Sequence, residues 1–147
     1  MIVYAESSAV LAWLLEQPRA GECIDIFSRA SRVTCSVLTQ FECERVVRRS
    51  VAIGSLGAQD EARCRSFLAR VSANWPSTDV TPDVLARARR LFPKEPVRTL
   101  DALHLGTALL LRATIPDLTI ATLDNRVAEN ASLLGFDVLP RPDRPGA

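Results

Sequence analysis

Four acidic residues each lie where a short apolar run meets a helix-like segment: Glu6, Glu42, Asp101 and Asp124. Carboxylates that come together repel one another and raise one another's pKa values unless a cation neutralises them. Mg²⁺ and Mn²⁺, which prefer oxygen ligands, are the natural cations for such a group. If these residues meet in the fold, the sequence predicts a site for a divalent metal ion.

The segment Arg98–Ala108 organises the rest of the chain. We expect Thr99 to cap a helix with its hydroxyl group and Asp101 to lie in the first turn, where the helix dipole favours negative charge. Apolar residues follow at helical spacing: Leu100, Leu103, Ala108 and Leu111. The pattern predicts that a buried helix fixes Asp101 at the mouth of a site.

Two of the acids follow apolar runs that are typical of buried strands. Glu6 comes after Ile2–Ala5, and Asp124 comes after residues 118–122. Sites in open parallel sheets form beyond the carboxyl ends of the strands, where these acids would lie. The alternative for Glu6 is structural: Ser7 or Ser8 caps the following helix, and Glu6 only favours its amino terminus.

Glu42 is predicted to lie on a helix that Ser36 caps and that continues through Arg49. The alternative to a functional role is a solvated helix face, on which Glu42 pairs with Arg45 one turn later. We interpret His104, three residues after Asp101, mainly as a packed residue.

The composition is that of a globular protein. The 147 residues suit one domain, and 48% are hydrophobic while 24% are charged. The net charge is only +1, so any binding of nucleic acid would rest on local patches of arginine. The four cysteines form no C-x-x-C pair and His104 is the single histidine, which argues against a zinc site and favours buried thiols.

Strand-like and helix-like segments alternate along the chain. The predicted strands lie at residues 2–5, 32–35, around Val80, at 118–122 and at 136–139. This alternation predicts a single α/β domain over residues 1–139, an α/β/α sandwich with a short central parallel sheet. We expect residues 140–147 to be a flexible tail. No signal peptide or membrane-spanning segment is predicted, so we expect a cytoplasmic protein that does not use a membrane.

The acidic segments together resemble the motifs of PIN-domain nucleases. The matching segments are Tyr4–Ala9, Ser36–Glu42, Arg98–His104 and Thr122–Asn125, in the family's order. The resemblance covers residues 2 to about 139, and the length is similar to that of the VapC-type toxins. By motif position, Glu6, Glu42, Asp101 and Asp124 correspond to the catalytic acids that bind the metal, and Ser8 to a small hydroxyl residue near the first acid.

This resemblance implies a metal-dependent endoribonuclease that is the toxin of a toxin–antitoxin pair. Its cofactor would be Mg²⁺ or Mn²⁺, its substrate RNA, and its partner an antitoxin protein that binds it. Arg45 and Arg126 are candidates for contacts with substrate phosphates, and Ser8 is a further candidate for substrate binding. No protein nucleophile is needed, because a metal-activated water attacks the phosphodiester bond.

Glu6 departs from the family pattern, which usually has Asp at this position. The alternative function is therefore a catalytically weak or inactive PIN-like module that engages RNA or a protein partner. A Mg²⁺-dependent phosphotransfer enzyme fits poorly, since that class typically has a nucleophilic Asp at the end of the first strand.

We also expect a homodimer. The early helices carry more apolar residues than one face of a sheet would cover: Trp13, Leu14, Ile26 and Phe27. The alternative is that all of these residues belong to the internal core.

Overall fold

A parallel sheet forms the centre of the protein in the computed structural model, which describes residues 1–141. Within those residues the five strands are β1 Ile2–Ala5, β2 Arg32–Ser36, β3 Ser77–Thr78, β4 Leu118–Ala121 and β5 Asp137–Leu139. Their order across the sheet is β3-β2-β1-β4-β5, and every neighbouring pair is parallel. The predicted strand around Val80 lies two residues earlier, because a two-residue strand has no periodicity to reveal it.

Helices cover both faces of this sheet. They are α1 Ser7–Leu14, α2 Ala20–Arg29, α3 Val37–Ala52, α4 Ala58–Asn74, α5 Pro82–Ala88, α6 Thr99–Arg112 and α7 Asn125–Leu133. Val3 and Ala5 pack with α1–α4, whereas Tyr4, which points to the opposite face, packs with α6 and α7. The predicted α/β/α sandwich is therefore confirmed. In the described chain no helix is long and apolar enough to cross a membrane.

Side chains at the strand ends start three of the helices. Glu6 caps α1 by accepting from Ser8 N at 3.1 Å, and Ser36 caps α3 by accepting from Leu38 N at 3.1 Å. Asp124 caps α7 by accepting from Arg126 N at 2.8 Å and from Val127 N at 3.3 Å. These caps satisfy N–H groups that a helix leaves without partners, and they hold two of the acids at strand ends.

The start of α6 differs from the prediction. Thr99 is the first helical residue rather than the cap, and the capping position belongs to Arg98, whose side chain makes no capping hydrogen bond. Asp101 therefore lies in the first turn, as predicted, while the side chain of Arg98 is available for other contacts.

The strand order reverses between β1 and β4, which are neighbours in the sheet although they are far apart in sequence. Ligands of doubly wound sheets bind at such switch points, because the connections leave the sheet in opposite directions and open a crevice. Glu6 follows β1 directly, and Asp124 follows β4 after two residues. The fold thus places both acids at this crevice.

The apolar residues on which the expected homodimer rests pack within this chain, and of these only Trp13 is partly rather than fully buried. Trp13 packs against Phe27, Phe67 and Trp75, with ring centroids 4.6 to 6.4 Å apart. Leu14, Ile26 and Phe27 belong to the same core, which α4 covers from outside. The argument for a dimer from these residues is therefore wrong, and the core alternative is correct.

The prediction of buried thiols is confirmed. Cys23, Cys35, Cys43 and Cys64 are all free and buried. Burial raises the pKa of the Cys23 and Cys35 thiols to about 11. Thiols of this kind are packing residues, since the reactive form of cysteine is the thiolate.

Candidate active site

The four predicted acids meet at the carboxyl end of the sheet, in two pairs. Glu6 and Glu42 face His104, while Asp101 and Asp124 face Arg98. A basic side chain thus lies between the members of each pair.

Glu42 points from α3 toward the start of α1 and toward α6. Its Oε1 accepts from Ser7 Oγ at 2.8 Å and lies 2.6 Å from His104 Nε2. Only 22% of its side chain is exposed. The predicted alternative, a solvated helix face pairing Glu42 with Arg45, is therefore wrong.

His104 is held between Glu42 and Tyr4. Its Nδ1 lies 2.7 Å from the Tyr4 hydroxyl, and its side chain is 1% exposed. An ionised carboxylate only accepts hydrogen bonds, so the Nε2 that faces Glu42 carries a proton. Burial, followed by the charge of Glu6, raises the pKa of Tyr4 well above its usual range, so the Tyr4 hydroxyl stays protonated beside His104 Nδ1.

The charge state of Glu42 follows from the same contacts. Burial would raise the pKa of Glu42, but the hydrogen bond and charge of His104, with the Ser7 hydroxyl, outweigh it and hold that pKa below its usual value. Glu42 is thus an ionised carboxylate at neutral pH.

Glu6 folds back on the start of its own helix. Its Oε2 accepts from Ser8 N, from the Ser8 hydroxyl, and from Thr122 Oγ1 at 2.7 Å. Its Oε1 lies 4.0 Å from His104 Nε2. The structural alternative is therefore wrong about the cap, because Glu6 itself, and not Ser7 or Ser8, caps α1, and Glu6 also lies beside the other acids.

Ser8 connects the end of β1 to the end of β4. Besides donating to Glu6, its Oγ accepts from Leu123 N at 2.8 Å and from Asp124 N at 3.2 Å. The hydroxyl that we predict as a substrate contact is thus engaged within the protein, where it fixes the distance between Glu6 and the turn that carries Asp124.

Arg98 joins Asp101 to Asp124. Its Nε donates to Asp101 Oδ2 at 2.8 Å, and its Nη2 donates to Asp124 Oδ2 at 2.5 Å. The hydrogen bond to Asp101, followed by the charges of both acids, raises the pKa of the guanidinium group. Because Asp101 lies one helical turn from His104, the contacts close into a ring that contains all four acids.

The donor set suits a hard divalent cation. Four carboxylates, with the hydroxyl groups of Ser8 and Thr122, supply only oxygen atoms. As they stand, however, no three His, Cys, Asp or Glu side chains among residues 1–141 are grouped closely enough to hold an ion. The acids are not grouped more closely because the Arg98 side chain lies between Asp101 and Asp124, and the His104 side chain lies between Glu6 and Glu42.

The sequence prediction gave no site role to Arg98 or Thr122, and it interpreted His104 mainly as a packed residue, which its 1% exposure confirms. Arg98 lies one turn before Asp101 and His104 one turn after it, so helical spacing places all three on adjoining faces of α6. Thr122 follows β4 directly and lies beside the acid that follows β1. Hydroxyl and basic groups at these spacings are the signal that could have identified them.

A basic groove of about 690 Å³ begins beside the acids. Its lining includes Glu42, the arginines Arg45, Arg48 and Arg49, and two exposed apolar side chains, Phe41 and Leu100. Of the two predicted phosphate contacts, Arg45 lies in this groove. Arg126 is an exposed residue at the start of α7, where its backbone N–H donates to Asp124.

Comparisons with known proteins point to one family. The family model described as the PIN domain matches residues 3–133. A curated relative, Ribonuclease VapC35 of Mycobacterium tuberculosis, is 26% identical over 141 residues, which is 94% of this chain and 96% of the relative.

Two solved structures share the fold. The crystal structure of VapC20 of Mycobacterium tuberculosis, described as a sarcin-ricin loop cleaving toxin, superposes with a TM-score of 0.62 at 16% identity, covering 91% of this chain and 95% of that one. VapBC-5 of the same organism, from the VapBC family of toxin–antitoxin systems, gives a TM-score of 0.56 at 17% identity, over 93% and 94% of the two chains.

Proposed function

This chain belongs to the PIN domain family, whose model matches most of its length, and from that premise we propose that it is a metal-dependent endoribonuclease acting as a toxin. The observation that carries the proposal is the ring of four acids at the switch point between β1 and β4. Carboxylates kept in such proximity need a cation, and phosphodiester cleavage needs one as well.

In this proposal Glu6, Glu42, Asp101 and Asp124 hold Mg²⁺ or Mn²⁺ through their oxygen atoms. When bound, such an ion would supply a water molecule of lowered pKa and positive charge opposite the scissile phosphate. His104 and Ser7 orient the Glu42 carboxylate, and their contacts at 2.6 and 2.8 Å limit its rotation. Thr122 and Ser8 do the same for Glu6.

The basic groove is the proposed path of the RNA. Arg45, Arg48 and Arg49 would contact phosphates, and the exposed ring of Phe41 is suited to stacking against a base. Because this groove shares Glu42 with the acidic site, RNA bound there passes the acids. Arg126 would contact the strand on the other side of Asp124.

The substitutions Arg45→Gln and Arg49→Gln together should raise the Kd for single-stranded RNA about tenfold at low salt, because two phosphate contacts are lost. Fluorescence anisotropy with labelled RNA at two salt concentrations measures both the affinity and its salt dependence. The matched control is Arg29→Gln with Arg32→Gln, which removes the same charge at the amino end of β2. Equal affinity of the two double variants would exclude this groove.

Glu6 tests the role of the first acid. We expect the protein to work better with Mn²⁺ than with Mg²⁺, because Mg²⁺ demands near-ideal octahedral geometry and the longer Glu side chain must fold back. Glu6→Asp should raise the Mg²⁺-supported rate of RNA cleavage, and Glu6→Gln should lose most activity with either ion. Initial rates of RNA cleavage with each metal ion measure these effects, and Glu44→Gln, on the exposed side of α3, is the control. If Glu6→Gln cleaves RNA as fast as the parent, Glu6 is only a helix cap.

The proposed protein partner is an antitoxin that silences the site. Its inserted segment would carry arginine residues that pair with the carboxylates in place of metal. A cytoplasmic location fits both this partner and an RNA substrate.

A homodimer is also part of the proposal, although Trp13 and Phe27 no longer support it. Sedimentation of the isolated protein as a monomer at high concentration would contradict the homodimer.

One observation favours the alternative function, a PIN-like module with little or no activity. Glu6 stands where the family usually has Asp, and its Oε2 already accepts three hydrogen bonds within the protein. Such a module would bind RNA in the basic groove without cutting it. Binding without cleavage in the presence of Mn²⁺ would identify it.

A further inference from the structure

Arg98 occupies the position between two of the proposed metal ligands. It contacts Asp101 at 2.8 and 3.5 Å and Asp124 at 2.5 Å, so one guanidinium group neutralises both carboxylates. Asp101 itself is almost fully buried, with 10% of its side chain exposed. A carboxylate that is this buried is unfavourable unless it is paired, so Arg98 stabilises the site when no other cation is present.

The backbone that carries Arg98 is fixed in place. In the preceding loop, Glu95 accepts from Phe92 N and Val97 N at 3.0 and 2.6 Å. The buried side chain of Asn130 on α7 exchanges two hydrogen bonds with the backbone of Lys94, at 2.9 and 3.0 Å. The loop is thus attached to α7, the helix that Asp124 caps. This attachment places Arg98 beside Asp101 and Asp124.

The side chain of Arg98, in contrast, can leave. It is 56% exposed, and ion pairs made by exposed side chains are individually weak. A divalent ion carries twice the charge and binds carboxylate oxygen atoms at a shorter distance. Both cations need the same oxygen atoms of Asp101 and Asp124, so they exclude each other.

We propose that Arg98 is a built-in counter-cation, which pairs with Asp101 and Asp124 until a divalent ion displaces it and which thereby sets the affinity of the site for metal. The inference rests on the proposed function, since it assumes that these acids are metal ligands. The opposite role would be that of a clamp, which holds Asp101 and Asp124 in position for the ion. The two roles predict opposite effects of removing the guanidinium group.

The test is calorimetric titration of the full chain with Mn²⁺ for the wild type, Arg98→Gln and Arg29→Gln. Arg29 ends α2 shortly before the amino end of β2, whereas the acids lie at the carboxyl ends of the strands. Its side chain is 78% exposed, so Arg29→Gln removes the same charge far from the acids. Arg98→Gln should bind Mn²⁺ with a Kd about fivefold lower than the wild type, while Arg29→Gln should match the wild type. Its melting temperature should also rise more on addition of Mn²⁺.

Arg98→Lys provides a second variant in case Arg98→Gln does not fold. Lysine keeps the charge but cannot bridge two carboxylates with a planar fork, so its Kd should lie between those of the wild type and Arg98→Gln. An unchanged or higher Kd in the folded variants overturns the counter-cation and leaves the nuclease proposal intact. Absence of Mn²⁺ binding in the wild type and every variant overturns both.

Discussion

Replacing Asp101 and Asp124 together with Asn should abolish Mn²⁺ binding and lower the rate of RNA cleavage by about 100-fold or more. The neutral amides keep the shape of the side chains but remove two of the four charges that the proposed ion needs. Asn is also a good helix cap, so α7 should keep its start at Asp124. Calorimetric titration and initial cleavage rates measure the two effects.

The matched control for this pair is Asp117→Asn with Asp137→Asn. Asp117 precedes β4 and Asp137 begins β5. Both are exposed at the amino ends of these strands, whereas the acids lie at the carboxyl ends. This variant changes the net charge equally, so it should bind Mn²⁺ and cleave RNA like the wild type. Equal Mn²⁺ binding by both double variants would show that the acids at the switch point are not metal ligands.

His104→Leu should lower the free energy of unfolding by about 3 kcal/mol, because it leaves the buried Tyr4 hydroxyl without its 2.7 Å partner and Glu42 without its 2.6 Å partner. Denaturant unfolding followed by circular dichroism measures this loss. Activity should fall as well, since Glu42 loses the group that orients it.

A double-mutant cycle separates this contact from general disruption of the core. Removing both partners of a buried hydrogen bond costs less than removing one, so Tyr4→Phe in the His104→Leu background should cost less than Tyr4→Phe in the wild type. We expect a coupling of about 1 kcal/mol between the two positions. Strictly additive losses would mean that the Tyr4–His104 contact contributes nothing to stability.

The strands and the long helices were predictable because their residues follow simple periodic patterns. β1 and β4 are short apolar runs, and Glu6 follows β1 directly while Asp124 follows β4 after two residues. Those runs predicted a parallel sheet, and the sheet places Glu6 and Asp124 at one edge. The two-residue strand β3 has no such pattern, so its position was predicted too late in the chain.

The contacts between the acids were harder to predict than their meeting place. Glu42 could pair with Arg45 on the surface of its own helix, and only the packing of α3 beside β1 and α6 turns it toward Ser7 and His104. Arg98 reaches Asp124 because Asn130 attaches the preceding loop to α7. Such long-range contacts depend on how the elements pack, and sequence spacing does not specify that.

The apolar helices illustrate the same point. Trp13 and Phe27 look like surplus apolar surface when only one sheet face is considered. The later helix α4 supplies Phe67 and packs over Trp13 and Phe27, so these side chains belong to the core of the same chain. An apolar helix residue indicates burial, but it does not distinguish a partner subunit from a later helix of the same chain.

The most direct test of the central claim is cleavage of total RNA by the purified, chelator-treated protein, with and without added Mn²⁺ or Mg²⁺. We predict no cleavage after chelation, recovery on addition of the ion, and no recovery for Asp101→Asn under the same conditions. Cleavage that persists in the chelator, or that Asp101→Asn performs at the rate of the wild type, would contradict a metal-dependent nuclease built on these four acids.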